Sequence, residues 1–153
     1  MGLDMYLTKK SYVKNWRFEK KQHQINVSYD NEERKDIKAD RIMEIVEEVM
    51  YWRKANHIHG WFVEHIQGGI DECQESHVSR EDLQTLADLC DRAVEEKNAE
   101  LLPPVQGFFF GSREVDDFYW EDTKETARVL KDILSEKHPE GASSPLFYYQ
   151  ASW

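Results

Sequence analysis

YWRKANHIHGWFVEHIQ, residues Tyr51 to Gln67, packs two tryptophans, an arginine, an asparagine and three histidines into one segment with helical spacing. Laid on a helix with the residues before it, at about 100° per residue, it continues an apolar stripe built from Ile42, Ile45, Val46, Val49, Met50 and Val63. The middle of that stripe brings Arg53, Asn56, Gly60 and Gln67 to the same side. Trp52 and Trp61 flank it, with His57 and His59 near them. Polar groups therefore interrupt the face that should be buried. An amide or guanidinium buried without partners costs roughly 2 to 7 kcal/mol, so these groups must be hydrogen-bonded, wetted or in contact with something else. Three readings follow: a helix broken near Asn56, His57 or Gly60, all weak helix formers; a satisfied polar network; or a binding or catalytic patch.

Outward from this stretch, 153 residues suit one domain with a single core. The composition is 40% hydrophobic and 12% aromatic, that of a folded chain, while 33% charged residues imply a heavily solvated surface. A formal net charge of −10 argues against a large nucleic-acid contact, which rests on phosphate neutralisation by Lys and Arg. The acids cluster in candidate helices and could instead face a basic protein. No apolar run is long enough for a membrane span and no leader pattern opens the chain, so the expectation is a soluble, cytoplasmic protein. Two cysteines, Cys73 and Cys90, form no disulfide framework.

In chain order, Leu3, Met5 and Leu7 alternate with Asp4, Tyr6 and Thr8, a strand pattern within Leu3 to Val13. The basic, aromatic run KNWRFEKKQH follows. It is the one place where bases could stack, although a solvated arm with an aromatic anchor is the simpler reading. A short second strand is expected near Gln24 to Tyr29. The long amphipathic pattern then runs from about residue 38 to 66 and ends at Gly68-Gly69. IDECQESHV reads as a loop, after which Ser79-Arg80-Glu81-Asp82 reads as a capping box opening a helix with Leu83, Leu86, Ala87, Cys90 and Val94 on one face. Pro103-Pro104 ends that region, and GFFFGS reads as a short buried strand or extended segment. A third helix begins near Asp116 and Asp117 and runs to about Lys137. The closing LFYYQASW is strand-like and should pair with Leu3 to Val13. The expectation is an α+β single domain, mainly helical, with three main helices and a small antiparallel sheet joining the N- and C-terminal strands.

Chemistry-bearing motifs are sparse. His57 and His59 cannot share a helix face, and His65 stands at the wrong spacing from both for helical metal ligation. Asp71, Cys73 and His77 lack a fourth ligand. No metal site and no cofactor is therefore expected. Phosphate-loop, dinucleotide and nucleophile-elbow motifs are missing.

The opening GLDMYL, the central YWRKAN.IH.WFV, LLP followed by GFFFGS, and the closing YYQASW resemble a family of small uncharacterised proteins of bacteria and their phages. The resemblance covers nearly the whole chain. It implies an intracellular, phage- or prophage-associated accessory protein, and places Trp52, Arg53, Asn56, His59, Trp61 and Phe62 within the family's central motif. His57, His65 and His77 lie outside it. Two functions compete on these residues. One is a protein-binding module engaging a host or phage protein. The other is a small enzyme or anionic-ligand-binding domain. Its pocket would be floored by Arg53, Asn56 and His59, walled by Trp52 or Trp61, and reached by Ser112 or Asp116.

Overall fold

The computed structural model describes residues 2–107 and 109–153. The alternating apolar residues near the N-terminus form β1 (Asp4–Tyr12), in which Met5 and Leu7 are fully buried and their neighbours half-buried. This strand pairs antiparallel with β4 (Glu44–Arg53) on one side and with β6 (Leu146–Ser152) on the other. A three-residue strand, β5 (Ser76–Val78), pairs with β6 and completes a four-stranded antiparallel sheet of order β4-β1-β6-β5. Three helices complete the α+β fold: α1 (Asn56–His65), α2 (Arg80–Glu96) and α3 (Asp117–Ser135). Met5, Leu7, Trp52, Phe147, Tyr149 and Ala151 on one sheet face join Ile58 and Phe62 of α1, Leu83 to Ala93 of α2, and Ala127, Leu130 and Ile133 of α3 in one core. Phe62 stacks on Tyr149 with ring centroids 3.9 Å apart, which fixes α1 against the centre of the sheet.

The long helix expected from about 38 to 66 is corrected. It opens on a single 3-10 turn at Ala39–Arg41, continues as β4, and is α-helical only from Asn56 onward. The apolar pairs Ile45-Val46 and Val49-Met50 match helical spacing, but three of the four are β-branched, and pairing with β1 gives them a ladder that a lone helix here would lack. Reversal occurs at Lys54, whose φ of +56° turns the chain while its N–H donates to the Leu3 carbonyl at 2.8 Å. Arg53 and Asn56 thus lie on different elements, and the single polar-interrupted face does not exist. At the other end Gly68 and Gly69 take φ of +64° and +80°, and the Gly69 N–H closes on the Val63 carbonyl at 2.8 Å.

Between β1 and β4 the chain makes a long excursion. The strand expected at Gln24 to Tyr29 reduces to β2 (Ser28–Tyr29), joined to β3 (Glu32–Glu33) through Asp30 and Asn31, both at positive φ as a tight hairpin turn requires. At α2 the Ser79 hydroxyl accepts the Asp82 N–H at 3.0 Å, and Cys90 on its inner face is buried. Asp116 caps α3 in the same way through the Tyr119 N–H. The described residues of GFFFGS form no strand. They form a turn whose Phe109 carbonyl accepts the Leu3 N–H, and Phe110 enters the core; Phe108 lies outside the described residues.

Candidate functional site

The turn from β4 into α1, the segment from Pro104 to Glu114 and the first turns of α3 enclose a cleft of about 290 Å³. Asn56, the first residue of α1, builds one wall. Its amide nitrogen donates to the carbonyls of Phe110 (3.0 Å) and Ser112 (2.8 Å), while its amide oxygen accepts the Val105 N–H (3.1 Å). One side chain therefore holds the loop at three points, an arrangement only a buried primary amide with both donors and an acceptor can supply. Arg53 and Lys54 stand beside it. The Lys54 stem runs past Gly2 and Gly111, where a Cβ on either glycine would lie 3.5 and 3.2 Å from it.

The opposite wall belongs to α3. His57 is 4% exposed and stacks on Tyr119 at 4.0 Å between centroids. The Thr123 hydroxyl donates to the Tyr119 carbonyl at 2.6 Å, so its lone pair accepts the His57 Nε2–H at 2.9 Å. Nδ1 is left as an acceptor with no protein partner among the described residues. Burial pushes the His57 pKa down to about 4, which keeps the ring neutral. Asp122, one residue from Thr123, also lines the cleft. Burial, with the charges of Glu121 and Asp116 added, pushes its carboxyl up to about 6.

Of the residues expected to form a pocket, Arg53, Asn56, Ser112 and Asp116 line this cleft, with Asn56 committed to loop anchoring. Trp52, His59 and Trp61 do not: the two tryptophans belong to the core and His59 is fully buried. Trp52 Nε1–H donates to the Thr126 hydroxyl (2.7 Å), which donates on to the Asp122 carbonyl (2.6 Å). Trp61 packs on Phe62 and stacks on His65. Lys54, His57 and Asp122 were not expected in the site. The signal for them is on α3, where Thr123 and Thr126 occupy an otherwise apolar stripe and need donors from a facing element.

His59 belongs to a separate, sealed network. Tyr149 is held neutral by burial, and its hydroxyl, with no other acceptor among the described residues, donates to His59 Nδ1 at 2.6 Å. Nε2–H donates to Asp71 at 2.9 Å, and the second Asp71 oxygen accepts Trp153 Nε1–H at 3.0 Å. Phe110 lies edge-on over His59 and beside Trp153. This chain of bonds ties α1, the 66–75 loop and β6 together around His59, which is fully buried.

No protein-family model, no curated protein and no solved structure matches the chain. Among the described residues no group of three or more His, Cys, Asp or Glu side chains is placed to hold a metal ion, and no helix is long and apolar enough to cross a membrane.

Proposed function

We propose that this chain is a protein-binding module that takes an extended, basic segment of a partner protein as an additional strand on the outer edge of β4. The observation that carries this reading is the edge itself. β4 is ten residues long and terminal in the sheet, and among the described residues it makes no backbone hydrogen bond outside the sheet. Ile45 is 40% and Val46 53% exposed on opposite faces, and Met43 leads into them equally exposed. A row of free N–H and C=O groups flanked by apolar side chains is the template that strand addition uses.

Charge selects the occupant. Glu44, Glu47 and Glu48 lie along this half of β4, and the bulge that places Val49 between the pairs Leu7↔Met50 and Thr8↔Glu48 twists the strand midway. Both features oppose pairing with a second copy and favour Lys- or Arg-bearing strands. The 14–43 excursion that leads into β4 carries further exposed apolar groups, Trp16, Phe18, Tyr29 and Ile37. The motif resemblance to the bacterial and phage family would make the partner a host or phage protein and this chain an accessory factor.

The test is a peptide-display selection against the protein, counter-selected on Ile45→Lys/Val46→Lys. Enriched peptides should carry Lys or Arg between β-branched residues and should slow amide exchange in β4. Peptides that bind the double variant equally, or protect another surface, would exclude the strand-addition reading.

A further inference from the structure

The cleft beside α1 holds unlike charges that do not meet. Arg53 and Lys54 line one side, Glu114, Asp116 and Asp122 another, and among the described residues no ion pair joins any of them. Surface charges of opposite sign usually drift together when their stems allow it. Here the stems are held. Lys54 leaves the chain at positive φ with its methylenes against Gly2 and Gly111, and Asp116 is fixed by capping α3. Asp122 accepts no hydrogen bond on its carboxyl among the described residues, although burial and two neighbouring acids disfavour its charge. Between the two sides His57 lines the cleft, its Nδ1 an acceptor with no protein partner among the described residues, and Tyr119 backs the imidazole ring.

From this placement we infer that the cleft is a binding site for a small zwitterion of amino-acid size, with its anionic group on Arg53 and Lys54 and its ammonium group on Asp122 and Asp116. The His57 Nδ1 accepts an N–H of the same ammonium group. A volume of about 290 Å³ corresponds to roughly ten waters by liquid volume, enough for a free amino acid and small for a nucleotide. A purely anionic ligand would leave the carboxylates repelling it. A purely cationic one would leave Arg53 and Lys54 doing so. Only a ligand bearing both charges matches both walls. This site lies at the Arg53 end of β4, away from the 44–48 half proposed to take a partner strand, and would operate with or without that strand.

The experiment uses the full chain with 15N-labelled histidine, titrated separately with each of the twenty α-amino acids, with acetate and with methylammonium. At least one amino acid should move the His57 Nδ1 resonance and bind at least about tenfold more tightly than either single ion, a difference readable by calorimetry. Lys54→Met and Asp122→Asn should each abolish that shift while keeping the wild-type circular dichroism and a cooperative melt. The inference is overturned if no amino acid moves the His57 signal, if acetate or methylammonium binds as well as the amino acids, or if both variants bind as the wild type does.

Discussion

At the residue scale the cleft separates side chains that hold the fold from those that merely line it. Asn56→Leu removes three hydrogen bonds at once and strands two carbonyls and an N–H, so a loss of about 3 kcal/mol is expected in urea denaturation. Arg53→Met, at an exposed position with no ion pair among the described residues, should change stability by no more than about 0.5 kcal/mol. His57 and Asp122 make opposite contributions to the pH dependence. The folded pKa of His57 lies below its ordinary value, so its stabilising contribution is full above about 6.5 and is lost as pH falls towards 4, a swing of about 3 kcal/mol. The folded pKa of Asp122 lies above its ordinary 3.8, so folding is favoured as pH falls from about 6 to 4; half-exposure and screening reduce this to on the order of 1 kcal/mol. Asp122→Asn should therefore raise stability at pH 7 by about 1 kcal/mol and steepen the loss between pH 6 and 4, measured as melts across that range.

At the element scale, capping was the most legible feature. Ser79 stands at the N-cap of α2 as its local sequence predicts, because a cap is a contact between residues three apart; α3 starts where the Asp116-Asp117 pair places it, and the structure adds that Asp116 is its cap. The C-terminus of α2 is different: Lys97 occupies the left-handed position at φ +50° while Asn98 N–H closes on the Ala93 carbonyl at 2.9 Å. Lys97→Gly should raise stability by about 0.5 to 1 kcal/mol in chemical denaturation, since glycine adopts that geometry without the Cβ penalty. β4 was the least legible element. Four of its apolar residues, Ile45, Val46, Val49 and Met50, occur in adjacent pairs four apart, a spacing that fits a helix as well as a strand, and the arbiter is its hydrogen-bonded neighbour β1, some forty residues earlier in the chain. β5 escaped for a related reason, since three residues carry no periodicity.

At the scale of the whole molecule, the last strand in the chain occupies an interior position in the sheet. β6 lies between β1 and β5 and contributes Phe147, Tyr149 and Ala151 to the core, and Tyr149 also anchors the His59 network. Removing residues 146–153 should abolish cooperative unfolding rather than merely lower the melting temperature, as a calorimetric scan of the truncated chain would read. In the intact protein, native-state hydrogen exchange should find the slowest amides in β1 and β6 and fast exchange across 14–43, where side chains are nearly all exposed and the only ladder is the two-residue β2–β3 pair.

The sequence alone determined the α+β class, the N-terminal strand, the cap of α2, the start of α3 near Asp116 and the inner faces of both helices. Each of these rests on residues within a few positions of one another, where periodicity and capping act. Only the tertiary structure decided that residues 44–53 are a strand, that Asn56 serves as a loop clamp, that His59 is sealed against Tyr149 and Asp71, and that His57 faces the cleft instead. Those outcomes depend on partners up to ninety positions away, on which of several polar groups finds a donor or acceptor first, and no local pattern encodes that choice.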